Sequence, residues 1–593
     1  MPEALPPFLI FLVGAALVAC LRGRVRQIAA LAVPVVALFN HTLLTPGTHW
    51  RIELLDFELI LGRIDAASSI FLGLFTLLAF IGILYVVREN EPLDLAGGLL
   101  YAGSATGAVL AGDLISLFFF WEMLTLGAIL CLLARRTPAS GRAAMRYLFV
   151  HVFGGVVLLA GLVLHLAAGG GTAFEKITLE GPGPWLMFLG FGINCAWPVV
   201  GAWLPDTYPE ASPGGVVFMA TFTTKTAIYV LSRTFPGEPV LLWIGVAMAV
   251  IPLFYALIEN DLRRVLAYAL VNQVGIMVIG IGVGTELALN GTAAQACVHV
   301  LYKALLFMAI GSVILRTGKS RASDLGGLCQ SMPLTCLFCC VGSVTIVLSG
   351  FVGKAMIKGA VGHEGLALVW FALLLASAGA FVAAGLRVPF AAFFRRDAGI
   401  RCEEAPLNQL LAMGFTAALC LIACLLPGAV LYPFLPHPGT AVPALSLGKI
   451  TAELSLALGA ALAFTVFIRK GLFPADLRAT HLDGSWLYRR GGPAFYRLAD
   501  RSLNAVNDTA SRLFLGKIVK GIVDFFESGL PRLACLFMTP LWKLMGHDAH
   551  RIEEERHALF RRARIGAFPI SLTAFSAVIL LGLLSAYYYV SGR

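Results

Sequence analysis

Leu114-Ile-Ser-Leu-Phe-Phe-Phe-Trp-Glu-Met-Leu-Thr-Leu-Gly-Ala-Ile-Leu-Cys-Leu-Leu-Ala134 carries one charge, Glu122, near its middle. A bilayer core takes roughly 20 apolar residues per helical span, and this run is that long. Comparable runs recur along the 593-residue chain, which is 59% hydrophobic and only 13% charged. That charged share is about half the usual for a soluble protein. The pattern predicts an all-α integral membrane protein with about sixteen transmembrane helices. They fall near 7–21, 27–45, 65–87, 97–112, 114–134, 147–168, 184–203, 211–232, 239–258, 265–283, 291–315, 333–361, 366–386, 408–432, 450–468 and 567–589.

Basic residues set the orientation. No basic residue precedes Phe8–Gly14, and Arg22, Arg24 and Arg26 follow it. This is the reverse of a cleaved signal peptide and reads as a first span with its N-terminus outside. On that orientation the short inside loops hold 17 Lys and Arg and the outside loops 5, as the positive-inside rule requires. The net charge of +10 therefore points to an anionic membrane surface and excludes nucleic acid. Segment 469–566 mixes charge with apolar residues at 514, 518, 522 and 525, which share one helical face. It reads as an amphipathic interfacial or cytoplasmic segment, with Pro531 and Pro540 breaking or kinking it, ahead of a final anchor in 567–593. The alternative is a small cytoplasmic helical domain.

Ionisable groups at bilayer depth cost several kcal/mol unless paired or hydrated, so each is a functional candidate. Glu122 has no basic residue within a turn on its own helix. Lys225 follows Thr221 and Thr224. His299 and Lys303 stand four apart and face one way. Lys354 follows Ser349-Gly-Phe-Val-Gly353. Lys358, one turn on, reads as a snorkelling lysine at a span end, and His151 as a satisfied structural histidine. Gly192, Pro198, Gly201 and Pro205 interrupt span 7, and Gly350 and Gly353 interrupt span 12. Broken helices belong beside hydrated cavities, and two in corresponding positions suggest two inverted five-helix repeats, about 97–232 and 239–386. The twelve cysteines read as small apolar residues. No metal constellation, cofactor motif or nucleophile–base pair emerges, so redox or hydrolytic chemistry by this chain alone is not expected.

The chain resembles the antiporter-like subunits shared by respiratory complex I and the Mrp cation/proton antiporters, with the nearest likeness to the D-type Mrp subunit. The likeness rests on Asp113-Leu-Ile-Ser-Leu-Phe-Phe-Phe-Trp-Glu122, Trp203-Leu-Pro-Asp206, Thr224-Lys-Thr-Ala-Ile-Tyr229, Asp261-Leu-Arg-Arg-Val-Leu-Ala-Tyr268, His299-Val-Leu-Tyr-Lys-Ala-Leu-Leu-Phe307 and Ser349-Gly-Phe-Val-Gly-Lys354, six motifs in the same order. It implies N-terminal helices over 1–60, a proton-translocating core over 61–435, a further helix in 436–468, and a lateral helix with an anchor beyond. It implies a proton pathway through Glu122, Lys225, His299, Lys303 and Lys354, with no cofactor and no metal. Implied partners are other hydrophobic subunits, the lipid bilayer, protons, and sodium or potassium as coupling ion. The implied location is the bacterial inner membrane, in a cation/proton antiporter or in a redox-driven quinone oxidoreductase or hydrogenase-type complex. The sequence departs from the family at two places. Asn194 stands where the family has a lysine, nine residues before Trp203, and Gly201 stands where many relatives have a histidine. Either Lys225 takes over the partner role to Glu122, or the first half-channel is altered and the chain is a non-conducting scaffold or coupling component.

Overall fold

The computed structural model describes residues 5–54, 56–89, 91–440, 447–474, 484–565 and 580–581. It divides into two units, Met1–Leu487 and Tyr488–Arg593. The first begins with α1 (Pro7–Cys20) and α2 (Gly23–His41), then an antiparallel hairpin of β1 (Gly47–Leu54) and β2 (Phe57–Ile64). The hairpin is a departure from the expected all-α chain. Its signal was alternation, with Thr48, Trp50, Ile52 and Leu54 against His49, Arg51 and Glu53, a period of two in a loop too short for a span.

Next come α3 (Ala66–Val86), α4 (Pro92–Leu110), α5 (Leu114–Leu133), α6 (Pro138–Ala167), α7 (Pro182–Asn194) and α8 (Trp203–Thr207). They are followed by α9 (Gly215–Thr221), α10 (Thr223–Thr234), α11 (Pro239–Ile258), α12 (Leu262–Val283) and α13 (Glu286–Thr317). Caps place the starts. Asp65 and Ser68 form a capping box on α3, and Thr137 and Ser140 form another on α6. Asp113 accepts from the Ser116 amide at 2.7 Å and from the Ile60 amide at 2.7 Å, so it caps α5 and ties β2 to it. Asp261 accepts from the Arg263 and Arg264 amides at 2.9 and 3.1 Å. These two motif aspartates thus serve as helix caps. Each also makes an isolated bridge, Asp113 to Ala173 and Asp261 to Arg321.

The unit continues with α14 (Pro333–Leu348), α15 (Gly353–His363), α16 (Ala367–Ala380) and α17 (Arg387–Pro389), the last between π-helical turns Phe381–Leu386 and Phe390–Phe394. It ends with α18 (Leu407–Leu425), α19 (Pro427–Val430) and α20 (Leu447–Arg469). Among the described residues, twelve helical segments are long and apolar enough to cross a membrane. The shorter α1, Pro7–Cys20, is apolar as well. The expected anchor near 567–589 lies outside the described residues except at 580–581.

The crossings differ in exposure. All of the central window of Leu262–Val283 is buried within the protein, against 39% for Pro239–Ile258 and 6% for Ile450–Arg469. The polar residues therefore collect on α10, α12 and α13, in the interior.

The second unit is helical through α21 (Gly484–Ser511), π-helical turns Arg512–Val519, α22 (Lys520–Leu544) and α23 (Ala549–Ile565). Of the two outcomes expected at Pro531 and Pro540, a break or a kink, the break does not occur, since both lie inside α22. A proline removes one amide donor and crowds the carbonyl four residues back, which bends a helix without ending it when the flanking residues stay helical.

Candidate functional site

Lys225, Lys303 and Lys354 are each at most 2% exposed, and each is held by backbone. The crossing formed by α9 and α10 is interrupted at Phe222. Lys225 lies just beyond, and its Nζ reaches back to the carbonyl of Ala220 at 2.7 Å and to Thr224 Oγ1 at 3.1 Å. Lys354 opens α15 after the break at Ser349–Val352, and its Nζ donates back to the Ile346 carbonyl at 3.2 Å. Both lysines thus engage carbonyls next to interrupted helices, where backbone groups need partners outside the helical ladder, and the Ile346 carbonyl also accepts from Ser349 Oγ at 2.8 Å. Lys303, on α13, donates to the Leu266 carbonyl on α12 at 3.3 Å.

His299 sits one turn before Lys303. It is fully buried, and neither ring nitrogen has a hydrogen-bond partner. Its ring meets Tyr302 edge-on at 5.2 Å. Tyr302 donates to Gln273 Oε1 at 3.1 Å, and Gln295 Nε2 to the same oxygen at 3.2 Å. Lys225 and Lys354 are both within electrostatic reach of His299 and of Lys303. Four of the five expected pathway residues therefore form one cluster, drawn from three different crossings.

Glu122 is apart from it. It is half-buried on α5, next to exposed Phe119 and Leu126. Its Oε1 has no hydrogen-bond partner, and its carboxyl carbon lies 2.5 Å from where a Cβ on Gly155 of α6 would stand. Among the described residues no ion pair reaches it, so an internal Glu122–Lys225 pair is not formed. Between them lies a hydroxyl link that sequence reasoning missed. Thr223 Oγ1 hydrogen-bonds Tyr101 on α4 and, at 3.2 Å, Tyr147 on α6. Tyr147 stacks on His151 at 3.7 Å. His151 uses Nδ1 on the Tyr147 carbonyl at 2.9 Å and leaves Nε2 without a partner, so it is only half satisfied. His151 is one turn from Gly155. The only sequence signal for this link was hydroxyl residues within otherwise apolar spans.

Asn194 ends α7 and is buried. Its neighbour Cys195 is within electrostatic reach of Lys225. Gly201 lies in the break that follows, where Ala196 and Val199 adopt φ of 62° and 71°. A Cβ on Gly201 would lie 2.6 Å from the Ala196 Cα and closer still to its carbonyl, so this loop leaves no room for a histidine there. Gly201→His is expected to destabilise the protein by ~1–3 kcal/mol, the usual overpacking cost, seen as a lower melting temperature in detergent.

A cavity of about 300 Å³ opens beside the cluster, lined among others by Arg63, Tyr229, Arg233, Thr292 and His437. Tyr229 is one turn from Lys225, and Thr292 lies on the helix that carries His299. At its rim Asp65 pairs with Arg233 and, at 3.7 Å, with Arg63. Burial alone would raise the Asp65 carboxyl, but the Arg233 guanidinium outweighs it and holds the group below the usual range.

Lys358 does not snorkel. It pairs with Glu453 on α20, a carboxylate that sequence reasoning passed over because it stands only four residues into its span.

Residues 111–380 match the NADH:quinone oxidoreductase/Mrp antiporter transmembrane family. Over that region the chain is similar to membrane subunits of quinone oxidoreductases and Mrp-type antiporters. It is 27% identical over 426 residues to the A/B-type component of a probable K(+)/H(+) antiporter of Rhizobium meliloti, covering 65% of this chain and 42% of the relative. It is 32% identical over 294 residues to the N-type component of the NADH-quinone oxidoreductase of Desulforudis audaxviator, covering 44% and 58%. The chain thus spans about half the length of these curated relatives. Its fold is similar to that of a chain of the membrane-bound sulfane sulfur reductase, an archaeal respiratory membrane complex. There the TM-score is 0.68 at 20% identity, over 88% of this chain and 100% of the other.

Proposed function

We propose that the chain is a proton-translocating subunit of a multisubunit cation/proton antiporter or complex I-like assembly in a bacterial inner membrane. Protons move from Glu122 past His151, Tyr147 and Thr223 to Lys225, and on through His299 and Lys303 to Lys354. The observation that carries this reading is the cluster itself, three buried lysines and a histidine with no carboxylate among them. Adjacent buried ammonium groups repel one another and lose hydration, so the set cannot hold a full complement of protons. A proton added at one end favours release at the other. The unpartnered nitrogens of His299 and His151 are sites for bridging water, since buried polar groups in native proteins are nearly always satisfied.

The breaks after α7 and after α14, with the matched caps and bridges of Asp113 and Asp261, support two inverted repeats. The half-exposed Glu122 supports a neighbouring hydrophobic subunit covering α5 and α6, because a lipid-facing carboxylate is costly. The nearer likeness to the D-type Mrp subunit, with sodium or potassium as coupling ion, is the finer form of this reading.

Glu122→Gln tests it. Proton flux through the purified assembly in liposomes is expected to fall about a hundredfold, the low side of what a positioned proton-transfer group contributes. Unchanged flux overturns the pathway. Asn194 and the unpaired Glu122 favour a second reading, a subunit that couples or braces without conducting. Asn194→Lys separates the two. A gain of flux from a silent wild-type assembly supports the second, and no gain over an already conducting wild type supports the first.

A further inference from the structure

The crossing α20 is packed against α14, α16 and the neighbouring π-helical turns on one side, while Leu454, Leu458 and Leu462 on it are exposed. Its stretch from Ile450 to Arg469 contains a single acidic residue, Glu453. That residue turns inward. Its carboxylate pairs with Lys358 on α15, with the two side chains 13% and 11% exposed. Glu453 Oε2 lies 2.5 Å from where a Cβ on Gly350 would stand, so the carboxylate rests on the opened backbone between α14 and α15. Only a glycine at 350 leaves that space.

The position matters because the row of lysines lacks a counter-charge. Lys354 and Lys358 are four apart on α15 and share a face, and Lys354 is within electrostatic reach of Lys358. A second ammonium one turn from the first is costly at this depth unless a carboxylate compensates. Glu453 supplies it. The other groups in reach are Cys424, which acts on Lys354, and Tyr432, which is near Cys424. Arg387, beyond the π-helical turns, is engaged with the carbonyls of Ala256 and Glu259.

We propose that Glu453 and Lys358 form the terminal proton-transfer site of the lysine row, with Glu453 as the last acceptor before release. The inference rests on the conduction reading above. Lys358 ammonium gives one proton to the Glu453 carboxylate, leaving a neutral amine and a carboxylic acid. Lys354 ammonium then reprotonates Lys358 and becomes neutral, ready for the next proton from Lys303. Glu453 releases its proton to water and the ion pair re-forms. One proton enters at Lys354 and one leaves at Glu453, so charge balances over the cycle.

The test compares Glu453→Gln, Glu453→Asp and Lys303→Met in the tagged, purified assembly, with flux expressed per assembled complex. Glu453→Gln keeps size and hydrogen bonding but cannot take the proton, and flux is expected to fall about a hundredfold. Glu453→Asp is expected to keep flux but with a displaced pH–rate profile. A pair that merely fastens α20 would lower the yield and melting temperature of Glu453→Gln and leave flux per complex and the Asp pH profile as in wild type. That result overturns the proposal. Where Glu453→Gln fails to assemble, the Asp profile decides alone, displaced for and unmoved against. Lys303→Met separates the two levels. If it silences flux while Glu453→Gln does not, only the terminal site is wrong. If Lys303→Met leaves flux intact, the conduction reading itself fails.

Discussion

Lys225→Ala is expected to reduce proton flux through the assembled complex about a hundredfold while leaving assembly intact. The side chain is fully buried, and among the described residues its Nζ hydrogen-bonds Ala220 and Thr224. Removing it strands one carbonyl beside the Phe222 interruption, a modest cost that water filling the vacated space reduces. On the proposed path, what is lost is the link between the Tyr101–Thr223–Tyr147 hydroxyls and the His299–Lys303 pair. Lys225→Arg is expected not to rescue, because a guanidinium stays protonated where an ammonium can release its proton. Flux assays on reconstituted complex, normalised to the amount of chain recovered, check both.

Gly353→Ala is expected to have the second large effect. A Cβ there would stand 2.6 Å from the Cα of Gln295 and closer still to its amide nitrogen. Both are backbone atoms of α13, so no side-chain rotation relieves the clash. The start of α15 must move away from α13, and Lys354, the next residue, moves with it. The expected cost is ~1–3 kcal/mol in thermal stability. Flux is expected to fall further than that stability loss explains, since the cluster depends on Lys354 staying near His299 and Lys303. A melting curve together with a flux measurement on the same preparation separates the two.

The twelve apolar crossings and the breaks at Pro198–Gly201 and Gly350–Gly353 were legible because apolar length and helix-breaking residues are local properties. The π-helical turns after Ala380 and the interruption at Phe222 were not. Gly385 and Pro389 lie in the π-helical region but do not say which turn is widened, and at Phe222 only the threonines at 221, 223 and 224 hint that carbonyls have alternative partners. Charge in an apolar run marked Glu122, Lys225, Lys303 and Lys354, but which charges meet is a matter of tertiary packing. The cluster joined the three lysines with His299 and left Glu122 at a half-exposed face. Lys358 and Glu453 show the same limit. They stand nearly a hundred residues apart, each close enough to a span end to pass for a surface charge, and only the approach of α20 to the break between α14 and α15 makes them a pair. Asn194 and Gly201 were visible as departures. The reason the second is required, the Ala196 backbone beneath it, was not.

The most direct measurement is the collapse of an imposed pH gradient by liposomes containing the purified complex, comparing wild type with Lys303→Met. Lys303 is within electrostatic reach of both Lys225 and Lys354, and on the proposed path it is the ammonium that passes the proton from one to the other. The gradient is predicted to collapse with wild type and to persist with the variant. Equal collapse in both, at equal complex content, would contradict a buried lysine row as the proton path.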